Sequence, residues 1–81
     1  MRVTVRMFAR LREIAGAGER ACDVAPGATV GDVWQAMVDA HPALAPFGRS
    51  ISCALNAEFA RMTVVVQEGD DVAFLPPVSG G

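Results

Sequence analysis

The residues best suited to chemistry in this chain are its last ones. Residues 70–81 read DDVAFLPPVSGG, an alternating segment followed by two prolines, two further residues and a closing pair of glycines. Pro76 and Pro77 cannot donate ladder hydrogen bonds, so strand pairing must stop there. Adjacent prolines favour an extended polyproline path, which aims the following residues away from the body. From Pro77 to Gly81 is five residues, a reach of about 16 Å at about 3.3 Å per residue. Gly80 and Gly81 carry no Cβ, so their backbone can pass a narrow channel and leaves a terminal carbonyl open to attack from any side. A free carboxylate is a poor electrophile because its charge repels nucleophiles. Adenylation by ATP would supply a leaving group, and capture of the acyl adenylate by sulfur would give a thiocarboxylate. No G-x-x-x-x-G-K-S/T phosphate cradle occurs in the chain, so a partner enzyme must do the activation. No cysteine lies near Gly81, which excludes prenylation.

Three other reactive side chains have simpler readings. Cys22 and Cys53 stand in no metal or redox spacing and read as reduced thiols packed as small hydrophobes. His41, the sole histidine, falls at a helix C-terminus, where a cation suits the helix dipole. No bound metal is expected from these residues, and no bound cofactor.

With 81 residues, 52% of them hydrophobic and 20% charged, the chain makes one small domain with a real core. A domain of this size seldom encloses a deep pocket of its own. The net charge of −2 and pI near 5.1 argue against nucleic acid, which calls for clustered cations. All seven basic residues are arginine, so the α-amino group of Met1 is the only primary amine. The chain therefore cannot be joined to a copy of itself through a side-chain isopeptide. No charged n-region followed by an apolar h-region opens these residues and no apolar run approaches 18 residues, so the expected location is the cytoplasm, without membrane attachment.

The elements that must position the tail follow from periodicity. RVTVRMF at 2–8 alternates, with Val3, Val5 and Met7 on one face and Arg2, Thr4, Arg6 and Phe8 on the other. ARLREIAGAG predicts one or two helical turns closed by Gly16 and Gly18. RACDVAP at 20–26 predicts a second strand with Cys22 and Val24 inward. Thr29 then caps the main helix, with Asp32 at its third position. Val30, Val33, Trp34, Met37 and Val38 make its apolar stripe, and His41-Pro42 ends it. PALAPFGRS reads as a loop holding at most a short helical turn. ISCALNAEFARM reads as strand, turn at 56–58 and return strand, and a second turn falls at 68–70. VAFLP at 72–76 is the last strand, with Val72 and Phe74 facing one way and Ala73 and Leu75 the other.

This order predicts an α+β fold of the β-grasp, or ubiquitin-like, type: a mixed sheet of about five strands with one main helix on one face. Residues 1–76 would form the domain and residues 77–81 the extended tail. The first and last strands would lie parallel in the middle of the sheet. Phe8, Ala73 and Leu75 would then stand on the uncovered face as a docking surface, unless Phe8 and Leu75 tuck under the short turn-helix.

GDDVAFLPPVSGG at 69–81 closely resembles the C-terminus of the small subunits of molybdopterin synthase, which are sulfur carriers. FARLREIAG at 8–16 is similar to the segment after that family's first strand, and the resemblance spans essentially the whole chain. The Pro-Pro pair separates it from the thiamine-pathway carrier, which usually lacks both prolines. The resemblance implies a non-catalytic subunit that serves other proteins. An adenylyltransferase similar to ubiquitin-activating enzymes would consume ATP to adenylate Gly81. A sulfur donor would convert it to a covalent 1-thioglycine. The tail, Pro76, Pro77, Val78, Ser79 and Gly80, would thread the synthase large subunit, where sulfur passes to cyclic pyranopterin monophosphate. The family assembly is two small plus two large subunits. The family's apolar contact positions fall here on Phe8, Phe59 and Leu75. The chain departs from the pattern at ARMTVVVQEGDD, which has Val65 where a proline often sits. Rival readings are a sister carrier for cysteine or thiamine biosynthesis, a ubiquitin-like modifier of lysines, and an interaction module with an inert tail.

Overall fold

The alternation at the start of the chain becomes strand β1, Arg2–Met7, whose Val3, Val5 and Met7 are buried. A short helix α1, Ala9–Ala15, follows and stops at Gly16, which is left-handed at φ 78 and donates to the Arg12 carbonyl. Strand β2, Glu19–Asp23, returns antiparallel to β1, with Val3 opposite Cys22 and Arg6 opposite Glu19. β2 is shorter than the 20–26 run its sequence suggests. Pairing nonetheless reaches Val24, whose backbone N–H donates to the Met1 carbonyl.

Helix α2, Val30–Ala40, starts at Thr29 as its sequence requires. The Thr29 hydroxyl accepts from the Asp32 N–H, and the Asp32 carboxylate accepts from the Thr29 N–H, a reciprocal cap worth about 1 kcal/mol. The next free helix donors, on Val30 and Gly31, reach the carbonyls of Val64 and Met62. Residues 62–64 are thereby tied to the helix start. A six-residue 3-10 helix, Pro42–Phe47, occupies the stretch read as mostly loop and buries Leu44. Strands β3, Ser52–Leu55, and β4, Glu58–Ala60, form a hairpin, and β5, Asp71–Leu75, ends the fold.

The sheet order is β2-β1-β5-β3-β4, with β1 and β5 parallel at its centre. α2 covers one face. Its Trp34 ring packs on Phe74 with centroids 5.0 Å apart and planes tilted by 60°, a favoured aromatic geometry. Val5, Val33, Val72 and Phe74 are fully enclosed between the layers. The computed structural model describes residues 1–77. The expected tail residues Val78, Ser79, Gly80 and Gly81 lie outside the described residues.

Candidate functional site

The central parallel pair decides where the tail can start. β5 runs through the middle of the sheet and ends at Leu75, followed by half-buried Pro76 and exposed Pro77. Phe74 is anchored in the core. Full burial of a side chain of that size is worth about 1.5–3 kcal/mol, so the point from which the last residues depart is held by core packing.

Strand register sets what surrounds that point. Phe74 sits opposite Cys53, so Ala73 and Ala54 form a pair on the other, uncovered face, and Leu75 pairs there with Ser52. Ala54 in turn faces Phe59 across the β3–β4 hairpin. A row therefore crosses the open face from Arg6 through Ala73 and Ala54 to Phe59. Phe8 stands beyond the end of β1 as the residue before α1 and is 44% exposed. It is not swallowed by that helix, whose first turn uses the Phe8 carbonyl as acceptor. Phe59 is 85% exposed and Leu75 half-buried. The three apolar positions named from the sequence thus lie on the same side of the sheet.

The polar border of this face is locked. The Arg6 guanidinium donates to Asp71 and to Glu19, each at 2.7 Å. The hydrogen bond to Asp71, reinforced by both carboxylates, raises the Arg6 pKa. Arg2 donates to Asp23 at 3.0 Å, and that bond holds the Asp23 carboxyl below its usual range. Across β5, the Asn56 side chain donates to Asp70 and accepts from the Asp71 N–H. Arg6, Phe8, Asn56, Ala57, Asp71 and Ala73 enclose an open cavity of about 430 Å³. The residues at its walls are apolar at the centre and charge-neutralised at the rim, which is the anatomy of a protein-docking patch.

The remaining reactive groups stay apart from this face. Cys22 and Cys53 are buried as free thiols. Burial raises both pKa values, with Asp23 adding to the effect at Cys22, so neither is an activated nucleophile. Among the described residues, no three His, Cys, Asp or Glu side chains converge as a metal site. No helix there is long and apolar enough to cross a membrane. His41 is the C-cap residue of α2, as expected. Arg20 Nη1 lies 2.8 Å from His41 Nε2, and a guanidinium can only donate. Arg20 thus sets a positive charge beside the end of α2. Arg6 was placed on the open face from its alternation, whereas Ser52, Ala54 and Asp71 were missed as parts of it. Carrying the two-residue alternation through β3 would have found Ser52 and Ala54.

Known proteins resemble this chain in architecture and in sequence. The model of the ThiS family matches residues 5–81. A molybdopterin synthase sulfur carrier subunit from Chlamydomonas reinhardtii is 37% identical over 83 residues, covering 100% of both chains. Small archaeal modifier protein 1 from Haloferax volcanii is 42% identical over 84 residues, covering 94% of this chain and 97% of its own. A crystal structure of SAMP1 from that organism superposes with a TM-score of 0.87 and covers 100% of both chains at 37% identity. A CysO protein of Amycolatopsis orientalis, solved in complex with BexX, matches with a TM-score of 0.71 at 27% identity, covering 98% of this chain and 99% of that one. The resemblance to molybdopterin synthase sulfur carriers is borne out. The chain belongs to the ThiS family and has its ubiquitin-like β-grasp fold.

Proposed function

We propose that this protein is the sulfur carrier of molybdenum cofactor biosynthesis and that Gly81 is its point of attachment. The observation that carries the reading is the continuity of the central strand with the tail. β5 leaves the core beside an exposed apolar face and enters Pro76-Pro77, and the family match runs on through Gly81. In the cycle we propose, a ubiquitin-activating-like adenylyltransferase transfers AMP from ATP to the Gly81 carboxylate, releasing pyrophosphate. Hydrosulfide delivered by a donor protein attacks the acyl carbon, AMP leaves with the bonding electron pair, the sulfur loses its proton to solvent, and Gly81 becomes 1-thioglycine. Val78, Ser79 and Gly80 then thread the large subunit of molybdopterin synthase, in an assembly of two small and two large subunits. There the sulfur passes to cyclic pyranopterin monophosphate. The domain contributes the hook and the docking face formed by Phe8, Phe59 and Leu75, and the partners contribute the catalysis. We place the cycle in the cytoplasm, where Cys22 and Cys53 would stay reduced.

A second reading has its own support, because the 42% identical relative is a modifier protein. As a modifier, Gly81 would be coupled to amines of target proteins. Lacking lysine, this chain could form single conjugates but no side-chain-linked chains of itself.

One experiment separates a working terminus from an inert tail. Adding a single alanine after Gly81 moves and caps the acyl group without touching the core. Cofactor assembly in cells lacking the native gene should be abolished while the thermal unfolding curve is unchanged. Full complementation by the extended chain would leave the inert-tail reading standing.

A further inference from the structure

A second surface adjoins the docking face and differs from it in charge. Between the end of the 3-10 helix and the β3–β4 hairpin lies a cavity of about 540 Å³, whose walls include Arg49, Ile51, Ser52, Phe59, Arg61 and Met62. No acidic side chain lines it, although the chain carries nine acidic residues against seven arginines. Arg2, Arg6 and Arg10 are each bound to carboxylates. Arg49 and Arg61 are exposed and make no ion pair or side-chain hydrogen bond among the described residues.

Position ties this groove to the tail. Ser52, on its wall, is paired with Leu75, so the groove opens at the end of the sheet from which Pro76 and Pro77 depart. Phe59 belongs to both surfaces. Phe59 on its wall is 85% exposed, so the groove is a poor fit for a small molecule, whose sites bury most of the ligand. It suits a chain segment laid along it. Nucleic acid is disfavoured by the overall negative charge.

We propose that the Arg49–Phe59–Arg61 groove docks an acidic, apolar-centred segment of the protein that receives the tail. The two guanidiniums would take carboxylates in forked hydrogen bonds, while Phe59, Ile51 and Met62 take an apolar side chain between them. This surface would select among partners by charge, which governs specificity and encounter rate more than raw affinity. The inference rests on the reading that a partner takes the tail, but its test does not use the tail chemistry.

The probe is a blocked hexapeptide, Glu-Glu-Leu-Phe-Glu-Glu, titrated into the full-length chain at low salt and followed by amide NMR shifts. A Gln-Gln-Leu-Phe-Gln-Gln peptide is the control. Shifts should concentrate at residues 48–53 and 59–62, and the Gln peptide should bind at least about fivefold more weakly. The Arg49→Gln and Arg61→Gln double variant, altered only at exposed sites, should lose the same factor. The shifts should persist when Gly80 and Gly81 are deleted, so the groove can fail while the sulfur-carrier reading stands. Equal binding of both peptides, shifts confined to the Phe8–Ala73 cavity, or equal competition by inorganic phosphate would each overturn the proposal.

Discussion

Neighbouring residues on β5 have opposite duties. Phe74 is fully buried against Trp34, whereas Leu75 points to the uncovered face and pairs with Ser52. Truncating Phe74 would cost about 3–5 kcal/mol of folding free energy, a large part of the stability of so small a domain. Leu75→Glu leaves that packing in place. It would set a carboxylate at the centre of an apolar contact once a partner docks, where an unpaired charge is costly. Affinity for the large subunit should fall by about 2 kcal/mol or more, roughly thirtyfold, with little change in unfolding temperature. Calorimetric titration paired with thermal unfolding reads both quantities, and unchanged affinity would move the interface elsewhere. The parity that distinguishes Phe74 from Leu75 was legible in the sequence because strand side chains alternate strictly. The face of Phe59 was not legible that way. Its face depends on pairing with Ala54 across the hairpin, a register that no local pattern encodes.

At the scale of elements, capping and turn residues carry most of the information. Thr29 and Asp32 announced the start of α2, and the structure shows both bonds of their reciprocal cap. The 3-10 helix at Pro42–Phe47 was harder to see, because PALAPF lacks a helical apolar stripe and its Leu44 is buried through tertiary packing. The β3–β4 turn has a defect with a measurable consequence. Asn56 and Ala57 both have positive φ, 51 and 70, the conformation of a hairpin turn that favours glycine at its second position. Asn56 is secured by its bonds to Asp70 and Asp71, but Ala57 has only its strain. Ala57→Gly relieves the left-handed penalty and should raise stability by about 0.5–1 kcal/mol after the entropy loss of glycine. Urea unfolding would register that as a higher midpoint at constant slope. A lower midpoint would mean that the turn gains more from the methyl group than it loses in strain.

For the whole molecule, the arrangement amounts to a helix-backed sheet whose central strand points its own end outward. The core lies on one face, the exposed apolar row on the other, and Pro76 follows where the two meet. The β-grasp order was legible because each strand and helix carried its own period. The chemistry proposed for the terminus rests on residue types, since bare glycines after paired prolines suit threading and acyl activation better than packing. Arg49 and Arg61 escaped notice because they lie 12 positions apart in sequence and meet only around the hairpin groove. The most direct measurement is intact mass of the purified chain after incubation with an activating enzyme, ATP and a sulfur donor. We predict one oxygen replaced by sulfur, localised to Gly81 by fragmentation and dependent on ATP. An unchanged mass, from enzyme preparations that thiocarboxylate a known carrier from the same organism, would contradict the account.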